Sequence, residues 1–338
     1  MSTSPTARIY RPTPSNLAFL ANVLARGGIV AAPTETVYGL AADARNAKAC
    51  RDVFRAKGRP ANDPLIVHVN SLDQAGEVAA LNDAARSLAK AFWPGPLTLV
   101  LPKQPGVPAI VTSGLESVAV RMPAHTLFRE LIERSGCPLA APSANPFGYI
   151  SPTTAAHVRD GLGQRIKYIL DGGSAQIGVE STILDLRNPS KPAILRPGSI
   201  SREAMEMVLE RKVAAYTRKA PAHTAAPAPG MLERHYSPRT PLTLVDKLAP
   251  AFLHKLANNE AVLFVHQPRL SQQTPNVFWL ANHGEELMAA AHNLFNQLRM
   301  LDSGGWTQIH AELAPGSSAL ALAINDRLSR AAAKRGPA

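Results

Sequence analysis

"KGRPANDPLIVHV", residues 57–69, sets two cations and a proline around a glycine and then runs directly into an apolar segment broken by one histidine. The preceding "ACRDVFRA" has helical spacing, and Gly58 supplies a glycine stop. The following "PLIVHV" is short, apolar and rich in β-branched residues, which is the pattern of a buried strand. Lys57 and Arg59 therefore sit on a helix-to-strand turn. An ordinary solvated turn has no need of two fixed cations beside a proline. A phosphate site does, because Arg offers a planar fork of donors and Lys a compact charge.

The same alternation extends outward. Before residue 220 the strand-like runs "GIVAAP", "PLIVHV", "LTLVLP", "VAVRMP", "PLAAP", "IKYILD", "STILDL" and "AILRPG" alternate with helical stretches such as 15–27, where Leu17, Leu20 and Leu24 share a stripe. This predicts an α/β domain over 1–219 with a twisted sheet, whose strands end in Pro or Gly beside polar residues and so line a cleft. "APAHTAAPAPG", residues 220–230, has no periodicity and is stiffened by Pro221, Pro227 and Pro229. It marks a linker, the crossover between domains, taken over 220–240 and expected to act as a lid over the cleft. Beyond it, "PLTLVD", "AVLFVH", "NVFWLA" and "WTQIHAEL" alternate with helices, the clearest at 285–301 with Leu287, Leu294, Leu298 and Leu301 on one stripe. A small open α/β sheet over 241–338 follows. Neither a Gly-rich dinucleotide fingerprint nor a phosphate loop occurs, so a nucleotide would be held by another device.

Composition narrows the function. The chain has 338 residues, 46% hydrophobic and 18% charged, an ordinary globular balance whose length fits two domains. The N-terminal "MSTSPTARIYRPTPSN" has no apolar signal core, and no apolar run reaches the roughly 18 residues of a membrane helix, so a cytosolic protein without membrane contact is expected. Cys50 and Cys137 have no metal-ligand spacing and are expected to be buried free thiols. A net charge of +11 favours polyanionic partners such as nucleotides or RNA.

Four polar clusters bear on chemistry. "PTETVYGLAADA", residues 33–44, ends an apolar run in Thr34, Glu35, Thr36 and Tyr38, where hydroxyls most commonly cap a following helix. The opening stretch holds Lys57, Arg59 and His68; a single strand histidine is by itself weak grounds for a ligand or base. In "VTSGLESVAVRMP" Arg121 lies inside an apolar strand and must find a partner, for which a structural carboxylate suffices. "APSANPFGYISPT", residues 141–153, crowds Ser143, Asn145 and Ser151 between prolines and a glycine, as a well-bonded turn or a grip on phosphate would. Ser181 and Arg196 stand at further strand ends. Each cluster alone has a structural explanation, but four cations with small hydroxyl residues together look like a site for an anion.

The order of these motifs, "PTETVYGLAADA", "KGRPANDPLIVHV", "WPGPLTLVLP", "VAVRMP", "PSANPFGYISPT", "GVESTILDL" and "ILRPGSI", closely resembles that of the YrdC-type threonylcarbamoyl-AMP synthases. "PGMLERHYSPRTPL" and "GSSALALAINDRLSRAAA" extend the resemblance to the long, two-domain form. The resemblance implies a twisted mixed-sheet N-terminal domain with a smaller Rossmann-like α/β C-terminal domain. It implies a nucleotidyltransferase that joins L-threonine, bicarbonate and ATP, with Mg2+, into threonylcarbamoyl-AMP and pyrophosphate. The product would pass to a tRNA threonylcarbamoyl-transferase complex. On the matching positions, Lys57, Arg59, Ser117, Ser143, Asn145, Ser151, Arg196 and Tyr236 are expected to face ATP, with Lys57 and Arg59 also the catalytic pair. Thr36, His68, Arg121 and Ser181 are expected to face threonine. Leu232 stands where the family would have a basic residue, with Arg234 or His235 as substitutes. Two alternatives are weaker. Carbamoyl transfer of the hydrogenase-maturation type would bring paired-cysteine zinc motifs, which are missing, and double-stranded RNA binding would favour more aromatics than 5%. RNA contact is expected to be weak and salt-sensitive.

Overall fold

In the computed structural model the helix Ala47–Lys57 and the strand Ile66–His68 form where the opening stretch predicts them. Asn46 starts the helix by accepting from the Lys48 and Ala49 amides, and Gly58 ends it with φ at 65°. Ala49, Cys50, Val53 and Phe54 form its buried side. Residues 7–217, 226, 228, 229, 231, 235–248, 250–269 and 274–333 are described. Of the expected crossover, residues 220–225, 227, 230 and 232–234, with Leu232 and Arg234 among them, lie outside the described residues.

The first sheet contains β1 (Arg8–Tyr10), β2 (Val30–Ala32), β3 (Gly39–Asp43), β4 (Ile66–His68), β5 (Leu97–Pro102), β6 (Ser117–Arg121), β7 (Leu139–Ala140), β8 (Tyr168–Leu170), β9 (Thr182–Asp185) and β10 (Ala193–Arg196). Their order is β1-β8-β2-β3-β7-β4-β6-β5-β9-β10, a mixed sheet. β3 departs from the sequence reading. Its residues, Gly-Leu-Ala-Ala-Asp, have low strand propensity, yet antiparallel pairing to β2 and β7 buries nearly all of them. The hydroxyls before it accordingly cap no helix. Thr34 Oγ1 donates to the Val37 carbonyl (2.6 Å) and closes a turn into β3.

β4 and β6 are parallel neighbours with His68 opposite Arg121, so both side chains leave the sheet at one edge of a cleft. On β10 the register against β9 slips between Ile194 and Arg196, and such an irregularity re-aims the side chain that follows it. Ile66, Val100, Ala119 and Ile183 form a sheet face covered by Ala228, with Met231 and Leu195 against it. The crossover thus supplies core residues where a helix would otherwise lie.

The second sheet has β11 (Leu242–Val245), β12 (Glu260–His266), β13 (Val277–Ala281) and β14 (Gln308–Glu312) in the order β11-β14-β12-β13, all parallel. The helices Leu287–Ser303 and Ala319–Ala331 cover it. Val37, Ile150, Val179 and Tyr236 from the first domain and crossover join the same apolar cluster as Leu294, Phe295 and Ile324. The two domains therefore share a core, built on the first side by loop residues and not by its sheet. Cys50 and Cys137 are buried free thiols, and no described helix is long and apolar enough to cross a membrane.

Gly58→Ala tests the helix stop. A Cβ there meets nothing within 4 Å, but φ at +65° is strained for any L side chain. The left-handed penalty of about 1–2 kcal/mol, partly offset by a stiffer unfolded chain, predicts a loss of about 1 kcal/mol, measured as a lower urea midpoint at unchanged slope.

Candidate active site

Thr34, Thr36, Gly39, Ile66, His68, Arg59, Arg121, Ser143, Glu180, Arg196, Pro229, His235 and Tyr236 line a cavity of about 50 Å³ between the first sheet and the crossover. One water needs at least about 10–15 Å³, so the cavity as it stands has room for a few waters.

Each arginine reaches the cavity by being bonded along its stem. Arg121 Nε donates to the Gly95 carbonyl (3.2 Å) and Nη1 to Thr36 Oγ1 (3.0 Å). Thr36 is itself bonded to Thr34 (2.8 Å), so the turn before β3 aims the hydroxyl at the guanidinium. Arg121 Nη2 lies 2.6 Å from Glu35 Oε1, a buried ion pair whose approach is off the hydrogen-bond direction. Arg59 Nε donates to the Asp63 carbonyl (2.8 Å) and Nη2 to the Pro64 carbonyl (2.7 Å), with Asp63 Oδ2 at 2.9 Å. Arg196 Nε and Nη2 donate to the carbonyl and hydroxyl of Ser181, both at 3.0 Å, and Nη1 to the Pro229 carbonyl (3.3 Å). Ser181 Oγ is also bonded to Thr98 (2.8 Å).

Other expected site residues stand behind the cavity wall. Lys57 is buried, and its Nζ donates to the carbonyls of Ser143 and Asn145, both at 2.6 Å. The Lys-x-Arg and Ser-x-Asn pairs are thus joined directly, with Lys57 fixing the loop that brings Ser143 to the cavity. The Asn145 amide donates to the Pro146 (2.9 Å) and Tyr149 (2.8 Å) carbonyls and tightens that loop. Ser151 is buried and donates to Glu180 Oε1 (2.6 Å). Ser117 begins β6 at the end away from Arg121 and does not line the cavity. The opening turn is buried, with Lys57 and Arg59 both withdrawn from water. The sequence reading missed Glu180, which the neighbouring "GVEST" motif could have flagged as a lone carboxylate beside a strand start. It gave His235 a substitute's role and a place in the lid.

Burial sets the protonation of the site. It pushes the Lys57 ammonium well below its ordinary range, and the Arg59 charge adds to the effect. Burial and then the Arg121 charge bring His68 down to about 3. Burial, with Arg59 and Lys57, holds His235 well below the usual histidine range. Tyr236 has φ at 62°, a left-handed conformation unusual for a bulky residue, which marks local strain. Its hydroxyl and His235 Nδ1 are buried and find no hydrogen-bond partner among the described residues, so the cavity offers polar atoms to whatever enters.

Arginines at strand ends of one mixed sheet, with a crossover and a second α/β domain over them, define a two-domain α/β protein that presents cations to an enclosed cleft. The chain belongs to the family of Sua5, YciO and YrdC. Residues 22–198 match the family described as "Telomere recombination", and residues 200–333 match "Threonylcarbamoyl-AMP synthase, C-terminal domain". A threonylcarbamoyl-AMP synthase of Pyrococcus abyssi is 42% identical, covering 93% of this chain and 93% of its own. One of Bacillus subtilis is 37% identical, covering 94% and 93%. The crystal structure of P. abyssi Sua5 complexed with L-threonine superposes with a TM-score of 0.87 at 40% identity, covering 96% of each chain.

The buried histidines predict acid sensitivity. His68 is neutral in the folded protein down to about pH 3, while in the unfolded chain it takes a proton below about 6.5. Its contribution is therefore intact above pH 6.5 and is lost as pH falls below that, by up to about 1.4 kcal/mol per pH unit per histidine. Urea unfolding at pH 7.5, 6 and 5 should show this fall. His68→Gln should reduce the slope by about one proton, and an unchanged slope would rule out this assignment.

Proposed function

We propose that this chain joins L-threonine, bicarbonate or dissolved CO2, and ATP into threonylcarbamoyl-AMP with release of pyrophosphate, the first step toward threonylcarbamoyl-adenosine in tRNA. The observation that carries the reading is similarity to synthases of that name along nearly the whole of both chains, together with a threonine-bound structural neighbour. A cytosolic setting and delivery of the product to a tRNA threonylcarbamoyl-transferase complex belong to the same reading.

The chemistry suits the cleft. The threonine amine and CO2 form a carbamate, whose oxygen attacks the α-phosphorus while pyrophosphate leaves, so negative charge gathers and fixed cations offset it. Arg59 keeps N–H groups beyond those bonded to carbonyls, and Arg196 and Ser143 of the Ser-x-Asn loop line the same cavity. These residues, with Lys57 behind them, take the nucleotide side. Arg121, Thr36 and His68, which line the same cavity, take the amino acid. Ser181 acts through Arg196. Carbamates and mixed phosphoric anhydrides are lost to water, so a narrow cavity with Pro229, His235 and Tyr236 along its wall fits the need for a dry site. No group of three or more His, Cys, Asp or Glu among the described residues could hold a metal ion. Magnesium would therefore arrive on the phosphates of ATP, as it commonly does, and not in a cage built by the protein.

Pyrophosphate release should require both L-threonine and bicarbonate, and equal turnover without threonine would refute the reading. 2-Aminobutyrate, which lacks the hydroxyl, should be a poorer substrate because it leaves polar groups of the site without partners. Arg59→Lys keeps the charge but loses the fork. A loss of about 2–4 kcal/mol of transition-state stabilisation, or roughly 30- to 1,000-fold in kcat/KM, is expected, and wild-type kinetics would make the turn purely structural.

A further inference from the structure

Arg327 belongs to the second domain, on the helix Ala319–Ala331 within the closing "GSSALALAINDRLSRAAA", yet it is fully buried against the first. Its Nε donates to Glu180 Oε2 (3.1 Å), its Nη2 to the Glu180 carbonyl (3.2 Å) and its Nη1 to the Pro197 carbonyl. Nη1 also lies 3.5 Å from Asp326 Oδ2, and the guanidinium carbon is 5.8 Å from the Tyr236 ring centre. Glu180, Tyr236 and Arg196, the residue before Pro197, all line the cavity.

One planar group thus touches three separate segments of the cleft. The 197–198 turn rests so closely on the Ser181–Thr182 backbone that a Cβ at Gly198 would lie 2.3 Å from the Thr182 nitrogen. Moving Pro197 therefore moves Ser181 and the Arg196 guanidinium bonded to it. On the other side, Glu180 Oε1 accepts the only hydroxyl hydrogen of Ser151 (2.6 Å). Held this way, Ser151 has only lone pairs left, and a ligand group that met it would have to be a donor and not a phosphate oxygen.

A buried ion pair is weak support for stability, since a well-packed apolar pair does as well or better. What the guanidinium adds is geometry, because its fork fixes a carboxylate and two carbonyls at once. We propose that Arg327 is a positioning residue: from the second domain it sets the spacing of Glu180, the Arg196–Pro197 turn and Tyr236 on the nucleotide side of the cleft. The inference rests on the assignment of that side to ATP. Arg327 bonds directly to none of Arg121, Thr36 and His68, so the effect should fall more heavily on nucleotide than on threonine.

The test uses the full chain with Arg327→Lys, Arg327→Met, Glu180→Gln and, as an interface control, Tyr149→Phe. That control removes a bond between the domains, Tyr149 to Asp302 (2.7 Å), and keeps the Tyr149 carbonyl that holds Asn145. Melting temperature, ATP affinity by calorimetry without threonine, and separate kcat and KM values for both substrates are measured. Arg327→Lys should stay folded, weaken ATP binding and raise KM for ATP at least tenfold, lower kcat, and shift KM for threonine less than threefold. Glu180→Gln should move the same parameters in the same direction, and Tyr149→Phe should change only melting. If Arg327→Met does not fold, the Lys and Gln variants decide. Wild-type ATP affinity in folded Arg327→Lys, or a kinetic change no larger than that of Tyr149→Phe at equal melting loss, would overturn the proposal. Absence of pyrophosphate release by the unmutated protein would instead refute the activity, and the ATP affinities would still judge Arg327.

Discussion

Lys57, Arg59, Arg121 and Arg196 are all withdrawn from water, and a buried cation persists only where the fold returns the hydrogen bonds that water gave it. Carbonyls return most of them: those of Ser143 and Asn145 for Lys57, Asp63 and Pro64 for Arg59, Gly95 for Arg121, and Ser181 and Pro229 for Arg196. Carbonyls stabilise a cation without cancelling its charge, so positive potential remains for a ligand. Arg59 and Arg121 also have a carboxylate each, Asp63 and Glu35. The loops of the first domain exist in their observed form because these cations need those carbonyls.

The crossover and second domain complete what the first sheet leaves open. Ala228 covers an apolar face of the sheet, the Pro229 carbonyl takes an Arg196 donor, and Tyr236 lies in the core that the two domains share. A segment with these duties is no passive tether. It joins the stability of the first domain to the state of the cleft, since opening the cleft also uncovers apolar surface and leaves a buried guanidinium short of an acceptor.

Much of this was legible in the chain. Gly58 marked the helix stop, the β-branched runs marked the buried strands, and of the cations singled out Arg59, Arg121 and Arg196 meet at one cavity. β3 was not legible, because Gly-Leu-Ala-Ala-Asp carries no strand preference and becomes a strand only through pairing on both sides. Glu180 was passed over because one carboxylate in "GVEST" is unremarkable until Ser151 and Arg327 converge on it.

By itself the sequence determined the alternation of helices and strands, the two-domain division, and the kinds of side chain that gather at the cavity, since periodicity, propensity and charge are local properties written residue by residue. The tertiary structure alone decided which of those side chains face the cavity. Lys57 and Arg59 are two positions apart, yet one braces a loop from behind while the other lines the cleft. Arg327, 147 residues from Glu180, reaches that site across the domain boundary. Burial and hydrogen-bond direction depend on the whole chain's path, and no local window contains them.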